Sequence, residues 1–153
     1  MTVNDVVRFI IKNYPHKEDL SHDRIHKLIY LIDWKSAIER EKQITDLIWQ
    51  RNSFGPYVAL IDKLLVNDSR FELGKIENFY GSEKIVINLN DDTNFVEPTN
   101  SEREIIDFVI NATSELKWNE FISGVFSTFP IQSTTLENSN LDLVKFAKIY
   151  NND

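Results

Sequence analysis

His22-Asp23-Arg24-Ile25-His26 is the stretch of this sequence whose residue types and spacing best suit metal chemistry. On a helix, residues four apart share one face, so the two imidazoles can meet one ion, with His16, Asp19 or Asp23 as further ligands. The zinc-protease pattern carries a glutamate directly after its first histidine. Here that neighbour is Asp23, one methylene shorter, and no histidine occurs after His26. Two imidazoles at a helix start are ordinarily solvated, so the sequence alone assigns no metal and no cofactor.

Other sources of chemistry are weaker still. Asp91-Asp92 is a carboxylate pair in a polar loop, with nothing evident to bury it and move its pKa. No serine stands in a nucleophile-elbow pattern, and no glycine-rich phosphate loop occurs. Glu39-Arg40-Glu41-Lys42 reads as a solvated helix end. With no cysteine in the chain, disulfides, thiolate metal sites and cysteine nucleophiles are excluded. No catalytic motif stands out, so no catalytic residue is expected, and residue chemistry alone does not say what the protein does.

Composition narrows the binding classes. The 153 residues suffice for about one domain (1–153), and 42% hydrophobic residues spread from Val3 to Tyr150 can build one core. A net charge of −7 without a lysine or arginine cluster argues against a nucleic-acid surface and suits a basic protein partner. The N-terminal residues lack the basic start and apolar run of a signal peptide, and no segment is long and apolar enough to span a bilayer. A cytoplasmic, non-membrane protein is expected.

The elements that must position any site are set out by periodicity. Val3, Val6, Val7, Ile10 and Ile11 mark a first helix ending near Tyr14-Pro15. Ser21 can cap a second, running to about Glu41 (about 21–41). Ile25, Leu28, Ile29, Tyr30, Leu31, Ile32, Trp34 and Ile38 make it apolar over most of its circumference, so it is the central helix. Leu47–Arg51 reads as a short strand. Pro56 is placed at the first position of a third helix bearing Leu60, Ile61, Leu64 and Leu65. Extended runs at Phe71–Phe79 and Lys84–Leu89 flank a glycine turn and predict a β-hairpin. Ser101 with Glu104 has capping-box spacing ahead of a fourth helix. Trp118, Phe121, Ile122, Val125, Phe126 and Phe129 form a helical stripe that Pro130 stops. That stripe reads as core, becoming a protein-binding patch if its rings prove exposed. A polar stretch then leads to a last helix containing Leu143, Val144 and Ala147. The fold class is α+β, mostly helical, with about five to six helices around the central one and a small antiparallel sheet.

Trp49–Val58, "WQRNSFGPYV", joins these elements. Gly55 gives the bend conformational freedom and Pro56 pre-sets the helix after it, so both are structural. "KLIYLIDW" (Lys27–Trp34), then Asp46, Trp49 and "GPY" (Gly55–Tyr57), resembles the Panacea domain family of SocA-like antitoxins. The segment "STFPIQSTTLENSNLDLVKFAKIY" is also similar to that family, with Phe129 where tyrosine or histidine is usual and Ile29 in place of the commoner leucine. The resemblance implies a non-enzymatic antitoxin that holds a cognate protein toxin inactive by direct contact, on a scaffold that serves many unrelated toxins. The residue types an interface uses point to Tyr30, Asp33, Trp34, Trp49, Arg51, Asn52 and Tyr57 as partner-binding candidates, with Arg51, Asn52 and Asp33 expected to be exposed. An adaptor subunit that delivers a partner to a protease, or acts in a phage-defence assembly, is the alternative.

Overall fold

Helix α2, His22–Arg40, runs through the middle of the protein and decides where the other elements lie. Ile25, Leu28, Ile29, Tyr30, Ile32 and Ala37 are all fully buried on it, because other elements cover it on several sides. Ser21 caps its start by accepting from the Arg24 N–H at 3.1 Å, and Glu41 ends it in the left-handed conformation. The computed structural model describes residues 1–77, 80–135 and 137–152.

Helix α1 (Val3–Asn13) packs on α2, as does α4 (Asn100–Thr113). So do α5 (Trp118–Phe126) and α7 (Leu143–Asn151). Short helices α3 (Leu60–Val66) and α6 (Phe129–Gln132) complete the seven among the described residues. Strands β1 (Trp49–Asn52), β2 (Gly55–Tyr57) and β5 (Ser139–Leu141) form an antiparallel sheet in the order β2-β1-β5. Arg51 pairs with Pro56 on one side and with Ser139 on the other. Strands β3 (Phe71–Glu77) and β4 (Glu83–Leu89) form the expected hairpin; the end of the predicted first run, Asn78-Phe79, lies outside the described residues. A bridge between Ser21 and Val86 ties this hairpin to the start of α2.

Four local expectations are corrected. Pro56 opens no helix: it lies in β2, at the edge of the sheet, where a missing N–H is tolerated, and α3 begins only at Leu60. The cap of α4 is Thr99 with Glu102, two residues before the predicted pair. Thr99 Oγ1 accepts from the Glu102 N–H at 3.3 Å, and the Glu102 carboxylate accepts from the Thr99 N–H at 2.8 Å. Pro130 does not stop the aromatic helix, which already ends at Phe126; the proline stands in the first turn of α6. The Phe126 carbonyl, which a residue-130 N–H would have engaged, instead accepts from Gln132 Nε2 at 2.7 Å. Finally, the polar stretch 132–140 contributes β5, too short and too polar to be read as a strand.

One buried carboxylate joins α2 to the sheet. Asp33 is fully buried, and its Oδ1 accepts from the backbone N–H groups of Ile44 (3.0 Å) and Thr45 (2.9 Å). Oδ2 accepts from Thr45 Oγ1 (2.5 Å), Trp49 Nε1 (2.9 Å) and, at 3.5 Å, Gln43 Nε2. Burial pushes the Asp33 pKa up to about 6 from an ordinary 3.8, while the donors from Thr45, Trp49 and Ile44 pull the other way. Asp33→Asn would set an amide N–H against two or three donors whichever way it is turned. We expect it to cost about 3 kcal/mol, or about 6–12 °C in Tm, read by thermal denaturation. In the parent protein the Trp49 indole N–H resonance should titrate near pH 6, and the variant should lose that transition. Because the folded pKa is raised, this group's contribution favours the fold fully below pH 3.8 and is lost as pH rises through about 6.

Candidate functional site

Between the first half of α2, the β1–β2 turn and α5 lies a groove of about 480 Å³. The turn is built by Asn52, whose side-chain oxygen accepts from the Phe54 N–H at 2.9 Å, and by Gly55 at φ +102°. Phe54 and Tyr57 line one wall; Trp118, Ile122 and Phe126 from α5 line the other. Phe54 is 76% exposed, Trp118 42% and Tyr57 39%, so three aromatic rings of one groove face water. Trp118 therefore leaves the core stripe to which its spacing assigns it. The buried side of the stripe is Phe121 and Val125.

His22, His26 and Lys27 form the floor. Lys27 is buried and donates its ammonium to the Pro56 carbonyl at 2.6 Å; burial lowers its pKa to about 8. Asp62 of α3 comes up beside the histidines. Its Oδ1 lies 2.5 Å from His22 Nε2 and 2.9 Å from His26 Nε2, and the two imidazole rings stand 4.2 Å apart. His22 Nδ1 faces the Asp23 carboxylate at 3.1 Å, the main reason its pKa is raised, whereas burial lowers that of His26. The hydrogen bonds from His26 and His22 hold the Asp62 pKa down at about 2. The expectation of two solvated imidazoles is thus corrected: His26 is 5% exposed, and the pair shares a carboxylate that no local sequence pattern places there.

The seven partner-binding candidates separate. Tyr30, Asp33, Trp34 and Trp49 are buried, so none is presented as an exposed anchor, and the expected exposure of Asp33 is corrected. Tyr30 donates to Thr128 Oγ1 at 2.8 Å, since that hydroxyl gives its own proton to the Val125 carbonyl. The Tyr30 ring also meets Trp49 edge-on at 5.5 Å. Trp34 packs against Tyr150 of α7. Arg51 is half-buried within the sheet. Only Asn52 and Tyr57 line the groove. Sequence reasoning does not single out Phe54, Lys27 or Asp62 as site residues, and it names Trp118 only within the stripe that becomes a binding patch if its rings are exposed. For Trp118 a signal exists in its place at the N-terminal end of the stripe, where a helix leaves the core; for Asp62 there is none.

Compared with known families, the chain matches the model described as antitoxin SocA-like, Panacea domain, over residues 25–127. The protein belongs to the SocA-like Panacea family. No curated protein and no solved structure matches it significantly. The matched span takes in nearly all of α2, both walls of the groove, and His26, Lys27 and Asp62. The resemblance seen at residues 128–150 falls beyond it.

Gly55 holds this Panacea domain's turn against α5. A Cβ there would come within 3.4 Å of two Phe126 ring atoms, at a φ that disfavours any side chain. Gly55→Ala is expected to cost about 2 kcal/mol and lower Tm by about 4–8 °C. Any loss of function should track the loss of folded protein. An unchanged melting curve would show that Gly55 is not held by conformation.

Proposed function

We propose that this Panacea domain is an antitoxin that neutralises a cognate protein toxin by direct binding, without catalysis, and that the toxin docks in the groove. The observation that carries this reading is the clustering of exposed Phe54, Tyr57 and Trp118 within the segment that matches an antitoxin-like family. Exposed aromatics around a pocket are the usual anchors of tight interfaces. Their support is rigid: Asn52 fixes the turn, and the Lys27–Pro56 bond holds the hairpin to α2, so little ordering would be needed on binding. The net charge of −7 favours a basic partner, and Asp23 puts a carboxylate in the lining of the groove. The occupant that fits is an apolar segment flanked by lysine or arginine.

Among the described residues no helix is long and apolar enough to cross a membrane. The proposed meeting with the toxin takes place in the cytoplasm. The test is to express the product of the neighbouring reading frame in a heterologous bacterium, alone and together with this protein. Toxicity alone and rescue on co-expression are expected. Trp118→Ala and Phe54→Ala should each weaken the purified complex by about 30-fold or more while leaving the melting curve nearly unchanged. Undiminished rescue by the double variant would remove the groove from the mechanism. A neighbouring product harmless by itself would favour an adaptor that delivers a partner to a protease.

A further inference from the structure

A toxin docked between the walls of the groove leaves its floor without a role. We infer that His22, His26 and Asp62 form a binding site for one divalent cation of the zinc class. One ligand atom from each of the three residues lies within 4.8 Å of the others. Both Nε2 atoms converge on one carboxylate oxygen, at 2.5 and 2.9 Å. In an occupied site each ligand atom stands about 2.0–2.2 Å from the metal, and hence about 3.3 Å from its neighbours. Asp62 is the partly exposed member, with its side chain 42% accessible, so it can draw back to that spacing, and the ligand atoms of the two imidazoles on α2 lie within 4.8 Å of each other.

Three further features suit a cation. The donor set, two imidazoles and a carboxylate, is one that borderline divalent metals take. His22 is braced from behind by Asp23, which accepts at its Nδ1, the usual way a protein fixes the tautomer and orientation of a ligating histidine. The neighbouring cation, Lys27, turns its ammonium to the Pro56 carbonyl. Because both histidines also line the groove, a fourth coordination position would open into it, available to water or to a side chain of a bound protein. The site rests on α2 and α3 alone and stands whether or not the groove takes a toxin.

The experiment is titration of the chelator-treated, tag-free protein with Zn²⁺ by calorimetry, repeated with Co²⁺ by visible absorption. Binding should saturate at one equivalent, with Co²⁺ showing the intense bands of a low-coordinate nitrogen–oxygen site. Asp23→Ala should lower Zn²⁺ affinity about 10- to 100-fold. Asp62→Asn and His22→Ala should lower it further, with unchanged far-ultraviolet circular dichroism. Should His22→Ala fail to fold, Asp62→Asn decides, since it keeps an oxygen for the histidines and removes only the charge. No binding by the parent protein, or binding undiminished in Asp62→Asn, would overturn the site.

Discussion

A carboxylate taken out of water must find its donors inside the protein, and the position of those donors then ceases to be negotiable. Asp33 is such a group. Its donors come from the chain just after α2, so residues 43–49 are obliged to fold back across the helix they have left. Trp49 arrives with them, and β1 begins there. From β1 the chain passes directly into the turn and β2, and on the far side β5 brings in α7, which lies back on α2. The position of β1 beside α2 is fixed by one side chain, and β5 and α7 follow from the pairing with β1.

What Asp33 fixes at one end of the hairpin, Lys27 and Gly55 fix at the other. Lys27 lies about two turns before Asp33 on the same helix and ties down the Pro56 carbonyl; Gly55 lets the backbone approach the Phe126 ring. The protein therefore separates its work. Backbone and polar groups such as Lys27 and Asn52 hold the β1–β2 hairpin between α2 and α5, and the most exposed aromatic rings of the groove are not needed for that task. Trp118 and Phe54 belong to the second set, Tyr30 and Trp49 to the first. Aromatic residues of similar type thus serve opposite ends.

That separation explains what can be read in the sequence. The helices with a one-sided stripe, α1 and α4, are legible from their apolar spacing, α1 almost to the residue and α4 with its cap misplaced by two; Ser21 as a cap and α2 as the centre are legible too. The same wide apolar surface that marks α2 as central conceals which of its polar residues turn inward. A helix covered on several sides has no single polar face, and so Asp33 reads as a surface charge. Pro56 reads as a helix start because its fixed φ suits a first helical turn as well as an edge strand, and only the pairing with Arg51 decides between them. At the α5–α6 break Thr128 meets Tyr30 across the fold, a contact between residues 98 apart in sequence. Asp62 reaches the histidines from 36 and 40 residues away, and no local pattern can carry that.

Pro56 has one more consequence. It stands on the outer strand of the three-stranded sheet, and it offers no N–H to an approaching chain; the opposite strand, Ser139–Leu141, is only three residues long. A foreign strand seeking to extend this sheet meets little to bond with on either side. Recognition at this sheet, unable to borrow main-chain hydrogen bonds, has to be written in side chains, and side chains can be exchanged one at a time. Exchanges among the exposed groove side chains would then leave the hydrogen-bonded frame intact.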